Sequence, residues 1–273
     1  MTTLAGGIDR GARGGEGAWG DSRFSWTDDR HPWADDHLLD HHLEDADPDC
    51  IAPAAAAELL RDGPWNSLVV LGDSVAAGIR DPRPGYRDAC FADRLAQALA
   101  ATRPGFAYRN LGVRELRTAE IRDGQLAPAL ALRPDLAVVV AGGNDAMRRS
   151  FDPERVRREL GEILVPLAEA GALVVTFGLF DLTHSGLLPP DAAAAMAERF
   201  VRLNRVTAEL TAEVDGVYVD THDHPRCVGG EIFSSDRIHA NAGGHAIVFA
   251  ALVRALAARL RSAQPSNHQD SQH

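Results

Sequence analysis

The chain has 273 residues, 45% of them hydrophobic and 25% charged, which is enough for one large core. Its 28 basic residues are all Arg, which excludes a lysine Schiff base, a lysine-borne pyridoxal phosphate or biotin, and the phosphate-binding lysine of a P-loop. Against them stand 39 acidic residues, and the net charge of −11 repels a nucleic-acid backbone and an anionic membrane surface alike, so no nucleic-acid partner is expected.

The acidity is concentrated in residues 1–62, which hold 14 acidic residues against 5 Arg. Within this arm, Gly6 to Gly20 is Gly-rich and almost without aliphatics, so it has little surface to bury and is expected to be disordered. Trp33, Leu38, Leu39 and Leu43 can share an apolar face, and Pro53 to Asp62 reads as a short Ala-rich helix stopped by Gly63-Pro64. His37 and His41 stand at helical spacing beside His42, Asp36, Asp40 and Asp45, a pattern that a divalent metal or a solvated acidic face would both explain; the composition favours the solvated face, and no metal is expected. Cys50, Cys90 and Cys227 form no C-x-x-C and are odd in number, so neither a disulfide framework nor a thiolate zinc site is expected. No secretory h-region precedes the arm and no apolar window reaches a membrane span; the expected location is cytoplasmic.

From Trp65 onward, short β-branched runs alternate with helical periodicity, the pattern of a parallel sheet covered on both faces. The strands are expected at Leu68 to Leu71, Ala107 to Leu111, Leu136 to Ala141, Leu173 to Gly178 and Val217 to Val219. Phe91, Leu95 and Leu99 mark one helix, Met196, Phe200, Leu203 and Leu210 a second, and Val248, Leu252, Leu256 and Leu260 the last. The expected architecture is a single doubly wound, flavodoxin-like α/β/α domain over residues 63–261, with five parallel strands, and a disordered tail over 262–273. In such sheets ligands bind beyond the carboxyl ends of the strands, so chemistry is sought in the loops that follow them.

Strand one runs into Gly72-Asp73-Ser74, placing a hydroxyl at the sheet edge among small residues, with a helix expected to begin behind it. An N–H at that position suits a developing oxyanion. The same residues would equally make an ordinary turn with Ser74 as a helix cap. Strand two ends in Asn110-Leu111-Gly112 and strand three in Gly142-Gly143-Asn144-Asp145; Gly admits close approach and an Asn amide is a neutral donor, although Gly, Asn and Asp dominate turns in any case.

A nucleophilic Ser needs a base and the base an orienting carboxylate. D-x-x-H occurs three times, at Asp28 to His31, Asp181 to His184 and Asp236 to His239; spacing alone does not choose between the last two. His222, Asp223 and His224 follow strand five and fit a polar loop as well as a site. Phe177, Phe180, Leu182, Leu187 and Leu188, before Pro189-Pro190, fit either an apolar lid or ordinary packing. Cys227 has no pattern that would make it reactive.

Taken in order, Gly72-Asp73-Ser74, the Gly112 turn, Gly142-Gly143-Asn144-Asp145 and Asp236-x-x-His239 resemble the blocks of the SGNH/GDSL hydrolase family, over roughly Trp65 to Leu260. The resemblance implies Ser74 as nucleophile, His239 as general base and acid, Asp236 as its orienting carboxylate, and an oxyanion hole made by the N–H groups of Ser74 and Gly112 with the Asn144 side chain. It also favours Asp236 and His239 over Asp181 and His184. The activity it implies is hydrolysis of a small-molecule ester or thioester with no cofactor; acyl transfer to an alcohol or amine is the alternative, and a non-catalytic flavodoxin-like binding module the reading from another class. Arg237-Ile238 departs from the small or apolar residues common in that block, and puts a cation at the entrance.

Overall fold

A computed structural model describes residues 41–263. The expectations for Gly6 to Gly20, for the face shared by Trp33, Leu38 and Leu39, for Asp28 to His31, for His37 and for residues 264–273 lie outside the described residues.

The sheet has five parallel strands, β1 (Ser67–Gly72), β2 (Ala107–Asn110), β3 (Leu136–Val140), β4 (Leu173–Gly178) and β5 (Val217–Asp220), in the order β2-β1-β3-β4-β5. Alternation along each strand sends residues to opposite faces. Val70, Val138 and Val175 join α2 (Pro53–Leu59), α3 (Phe91–Ala100) and α8 (Ala242–Ala263) on one side, through Leu60, Leu95, Leu252 and Leu256. Val69, Leu71, Val139 and Val174 meet α4 (Thr118–Ala131), α6 (Pro153–Glu169) and α7 (Pro190–Glu213) on the other, through Ile121, Ile163, Leu164 and Leu210. Both faces are therefore dry, which is why the central strands read as near-continuous apolar runs. A third apolar cluster, built on Phe180, Leu182, Met196, Phe200, Phe233 and Ile247, covers the carboxyl end of the sheet.

The order places the topological switch between β1 and β3, whose connections leave to opposite faces and open a crevice at their carboxyl ends. Ser74 and Asn144 follow those two strands.

Among the described residues, 41–66 ahead of β1 pack into the core. Ala56 of α2 and Leu60 at its C-terminal cap are fully buried against α3 and α8. Ahead of it, α1 (His42–Ala46) inserts Glu44, whose carboxylate accepts from Arg94 Nη1 at 2.6 Å and Nη2 at 3.1 Å, with both side chains almost wholly excluded from solvent. Arg87 completes the cluster through its N–H and Nη1.

Candidate active site

Gly72 ends β1 at φ +149°, and a Cβ there would lie 2.1 Å from the Val140 carbonyl oxygen of β3, so only Gly lets the two strands run this close at the crevice. Gln125 of α4 closes the other edge: its amide donates to Gly72 O and accepts from Gly72 N–H, both at 2.8 Å. The strand end that carries Ser74 is thus fixed on two sides. No helix follows Ser74. Ala77 N–H reaches Asp73 O and Ile79 N–H reaches Ser74 O, making one isolated turn, and helical structure resumes only at Phe91, so the expected helix N-terminus contributes no dipole here. The local donor is Ser74 itself, whose N–H donates no hydrogen bond within the described residues.

Asp73 is buried beneath the turn. Its Oδ1 accepts from Val75 N–H at 3.0 Å, and its Oδ2 faces Asn144 Nδ2 at 3.4 Å. Burial raises its carboxyl to about 6, further raised by Asp145 and offset in part by the Val75 N–H and by His239. Asn144 lies in a single helical turn, α5 (Gly143–Ala146), entered through Gly142 at φ +93°. Its amide nitrogen donates to Leu116 O at 3.0 Å as well as facing Asp73, which fixes the amide plane. Beside it, buried Asp145 accepts from both the N–H and the hydroxyl of Thr118 and locks α5 to the start of α4.

The third contribution comes from the loop before α8. Asn241 Oδ1 caps that helix at Gly243 and Gly244 N–H, while its Nδ2 donates back to Glu231 and Phe233 carbonyls. Ser235 N–H donates to Asp81 Oδ2 at 2.7 Å, tying this loop to the one after Ser74. Asp236 Oδ1 accepts from the N–H groups of Ile238 and His239, each at 3.0 Å, and its Oδ2 lies 2.6 Å from His239 Nδ1. Partial burial would raise the Asp236 carboxyl, but the His239 ring and the two N–H groups outweigh it and hold the group below its ordinary range. His239 Nε2 lies 2.7 Å from Ser74 Oγ. With Nδ1–H directed at a carboxylate, Nε2 is left as the acceptor for the Ser74 hydroxyl.

The competing pair is not assembled. Asp181 spends its carboxylate on the N–H and hydroxyl of Thr183, and His184 points into a separate groove. Gly112 also differs from expectation: it packs on the Ala76–Ala77 backbone, its N–H donates to Asn110 Oδ1 at 2.9 Å, and it does not line the crevice, so that donor is already engaged. Three residues on, Glu115 holds φ +68° and its N–H donates no hydrogen bond within the described residues. His222 is buried on the Leu179 carbonyl and His224 accepts from Arg226 N–H, outside the crevice. The Cys227 thiol is pushed up to about 11, mainly by burial, and is not a nucleophile at neutral pH.

Ser74, Asn144 and His239 open onto a cavity of about 80 Å³. Its walls are mostly apolar: Phe91, Phe177, Phe180, Leu182, Phe200 and Val248 among them, so three of the five residues considered as a lid do line it, while Leu187 and Leu188 only pack behind. His245, which spacing alone did not mark, forms part of the wall. It is fully buried and lies parallel to Phe91 at 5.9 Å, and burial, helped by Arg80, lowers its imidazole to about 3. It accepts from Phe91 N–H through Nδ1 and stays neutral. Among the described residues no group of three His, Cys, Asp or Glu is placed to hold a metal, and no helix is long and apolar enough to cross a membrane.

The sequence model of the GDSL-like lipase/acylhydrolase family matches residues 70–247. No curated protein matches the chain by sequence. Among solved structures, an alpha/beta hydrolase, LAE5, from the metagenome of Lake Arreo is 19% identical with a TM-score of 0.57, covering 70% of this chain and 94% of that one. Axe2, an acetylxylan esterase from Geobacillus stearothermophilus, is 18% identical with a TM-score of 0.55, covering 70% and 93%. TesA is 22% identical with a TM-score of 0.52, covering 70% and 97%. All three share the fold.

Proposed function

The chain belongs to the GDSL-like lipase/acylhydrolase family and is an esterase of that family, and from this premise we propose that it hydrolyses esters of apolar acyl groups through an acyl-enzyme on Ser74. The observation that carries the reading is the position of His239, within hydrogen-bond reach of Ser74 Oγ on one side and Asp236 on the other. Catalytic mutants of the acetylxylan esterase likewise involve one serine, one aspartate and one histidine.

His239 Nε2 takes the Ser74 proton as Oγ bonds to the ester carbonyl carbon, and Asp236 stabilises the imidazolium without taking a proton itself. The oxyanion is met by Ser74 N–H and by Asn144 Nδ2, which exchanges its long contact to Asp73 for the substrate oxygen. Collapse breaks the bond to the leaving alcohol or thiol, which departs with the proton from His239. A water then gives its proton to His239 while adding to the acyl carbon, and the second collapse returns that proton to Ser74 and frees the acid.

The apolar cavity beside Ser74 fits the acyl chain, and at roughly 10–15 Å³ per water-sized unit it holds about five to eight such units. Acyl transfer from the same acyl-enzyme to an alcohol or amine is the alternative, and the partition of products with added acceptor alcohol separates the two. The test is reaction with a fluorophosphonate followed by peptide mapping. Label on Ser74 alone supports the reading; label on another Ser, or none, refutes it.

A further inference from the structure

Resting on that reading, we propose a second subsite: the groove beside the cavity, with Arg237 as its cation, binds an anionic group carried by the leaving-group half of the ester. The groove is an open depression of about 460 Å³. It adjoins the apolar cavity, since two loops contribute to both: Leu182 and Ile238 line the cavity, whereas His184 and Arg237 line the groove. The loop that carries Asp236 and His239 is the partition between them. A substrate whose carbonyl sits at Ser74 and whose chain fills the cavity therefore has its other half directed past this partition.

The chemistry of the groove is the opposite of the cavity's. Its walls include Ser185, Ser234 and Ser235 and the bare backbone of Gly229 and Gly230, both at positive φ, and no lining residue is acidic. Arg237 is exposed and has no carboxylate within ion-pair distance among the described residues; its Nη1 donates to the neutral Gly186 carbonyl at 2.6 Å. That bond holds the guanidinium at the groove and leaves its charge uncompensated, with further N–H groups available in a planar fork suited to a carboxylate or phosphate. The backbone is committed to this placement, because Arg237 sits at φ +59°, a conformation costly for a residue with a Cβ. In a chain of net charge −11, a lone guanidinium at the mouth of the site also attracts anions that the remaining surface repels.

The test uses three esters with one acyl group, hexanoyl, on three phenols: 4-hydroxybenzamide, 4-hydroxybenzoate and 4-hydroxyphenyl phosphate. The readout is the ratio of kcat/KM for each anionic ester to that for the neutral one. We expect ratios well above one in the wild type, carried by KM and declining with added salt. Arg237→Gln should lower them about tenfold, and Arg237→Lys should restore part of the preference without the full bidentate contribution. The larger ratio of the two identifies carboxylate or phosphate as the natural group. Ratios near one in the wild type, or equal ratios in wild type and Arg237→Gln, overturn the subsite while leaving the esterase reading intact. Failure to turn over even the neutral ester, with no fluorophosphonate label on Ser74, overturns both.

Discussion

Ser74 Oγ and His239 Nε2 are 2.7 Å apart across 165 residues of sequence. The serine is fixed by Gly72 between β3 and Gln125, the histidine by Asp236 and the Asn241 cap, and Asp81 ties the two loops together. Ser74→Ala should therefore remove activity by several orders of magnitude while leaving thermal stability within about 1 kcal/mol, since only one hydroxyl is lost from a turn held by other groups. Steady-state kinetics beside a melting curve check both halves; retained turnover would reject Ser74 as nucleophile. Asn144→Ala should cost about 3 kcal/mol in kcat/KM, as for loss of one oxyanion donor.

The two aspartate–histidine pairs separate by mutation. Asp236→Asn should cost several orders of magnitude in kcat, because the imidazole loses both its tautomer-fixing partner and the charge that stabilises its protonated form. His184→Ala should leave kcat with the neutral hexanoyl ester within a few-fold, because Asp181 is satisfied by Thr183 and His184 lies outside the cavity. A dead His184→Ala beside an active Asp236→Asn would reverse the assignment.

What was legible beforehand follows from how local each feature is. The five strands stand within a residue or two of their expected limits, because buried parallel strands advertise themselves as apolar runs. α4 and α6 were not marked: α4 presents only Thr118, Ile121, Gln125 and Ala129 to the interior, too mixed a face to read as amphipathic. The apparent helix after Ser74 was a turn, since Asp, Ser and Ala suit either. The engagement of Gly112 was not legible although Asn110 stands in the same block, because sequence does not say which way the Asn110 side chain turns. Choosing between Asp181 and Asp236 required knowing that Thr183, within its own motif, consumes the first carboxylate. His245 was invisible as a wall residue because it sits in a Gly- and Ala-rich helix start with no spacing signal.

The Glu44–Arg94 pair predicts a strong dependence of stability on the segment before β1. The carboxylate is lowered despite its burial, because Arg94 and Arg87 together outweigh desolvation. Glu44→Gln removes the charge but leaves Arg94 buried and uncompensated, so the loss should be about 3–5 kcal/mol. Chemical denaturation measures it. A change under about 1 kcal/mol would mean that this contact is dispensable and that α1 docks through other residues.

The acyl cavity predicts chain-length selection. Val248 projects from α8 into its wall, and Val248→Phe should fill part of the space and shift the optimum to shorter acyl chains without abolishing hydrolysis of the acetyl ester. A series of p-nitrophenyl esters from acetyl to dodecanoyl reads this directly. An unchanged profile in a folded variant would show that the chain lies elsewhere.

Asp73 predicts a pH-dependent cost of holding the site together. In the folded protein burial raises its carboxyl to about 6, above the ordinary value of 3.8 that the unfolded chain restores. Between those values the folded state keeps a proton that the unfolded state has lost, so stability falls as pH rises through this window and is level above it. The full difference is worth about 3 kcal/mol at neutral pH, from about 1.4 kcal/mol per unit. Asp73→Asn removes the charge and keeps an oxygen to accept from Val75 N–H, but it sets an amide against Asn144 Nδ2 and so returns part of the gain. The variant should be more stable than the wild type by about 1–2 kcal/mol at pH 8, a rise of several degrees in Tm, and the advantage should vanish near pH 4, where the folded wild type is already protonated. Its activity should fall, because Asn144 loses the acceptor that holds it ready for the substrate oxygen. Thermal melts across pH 4 to 8, with kcat/KM measured on the same samples, test the pair of effects: equal melting temperatures at pH 8 would show that Asp73 carries no buried-charge penalty, and unchanged activity would show that it does not position Asn144.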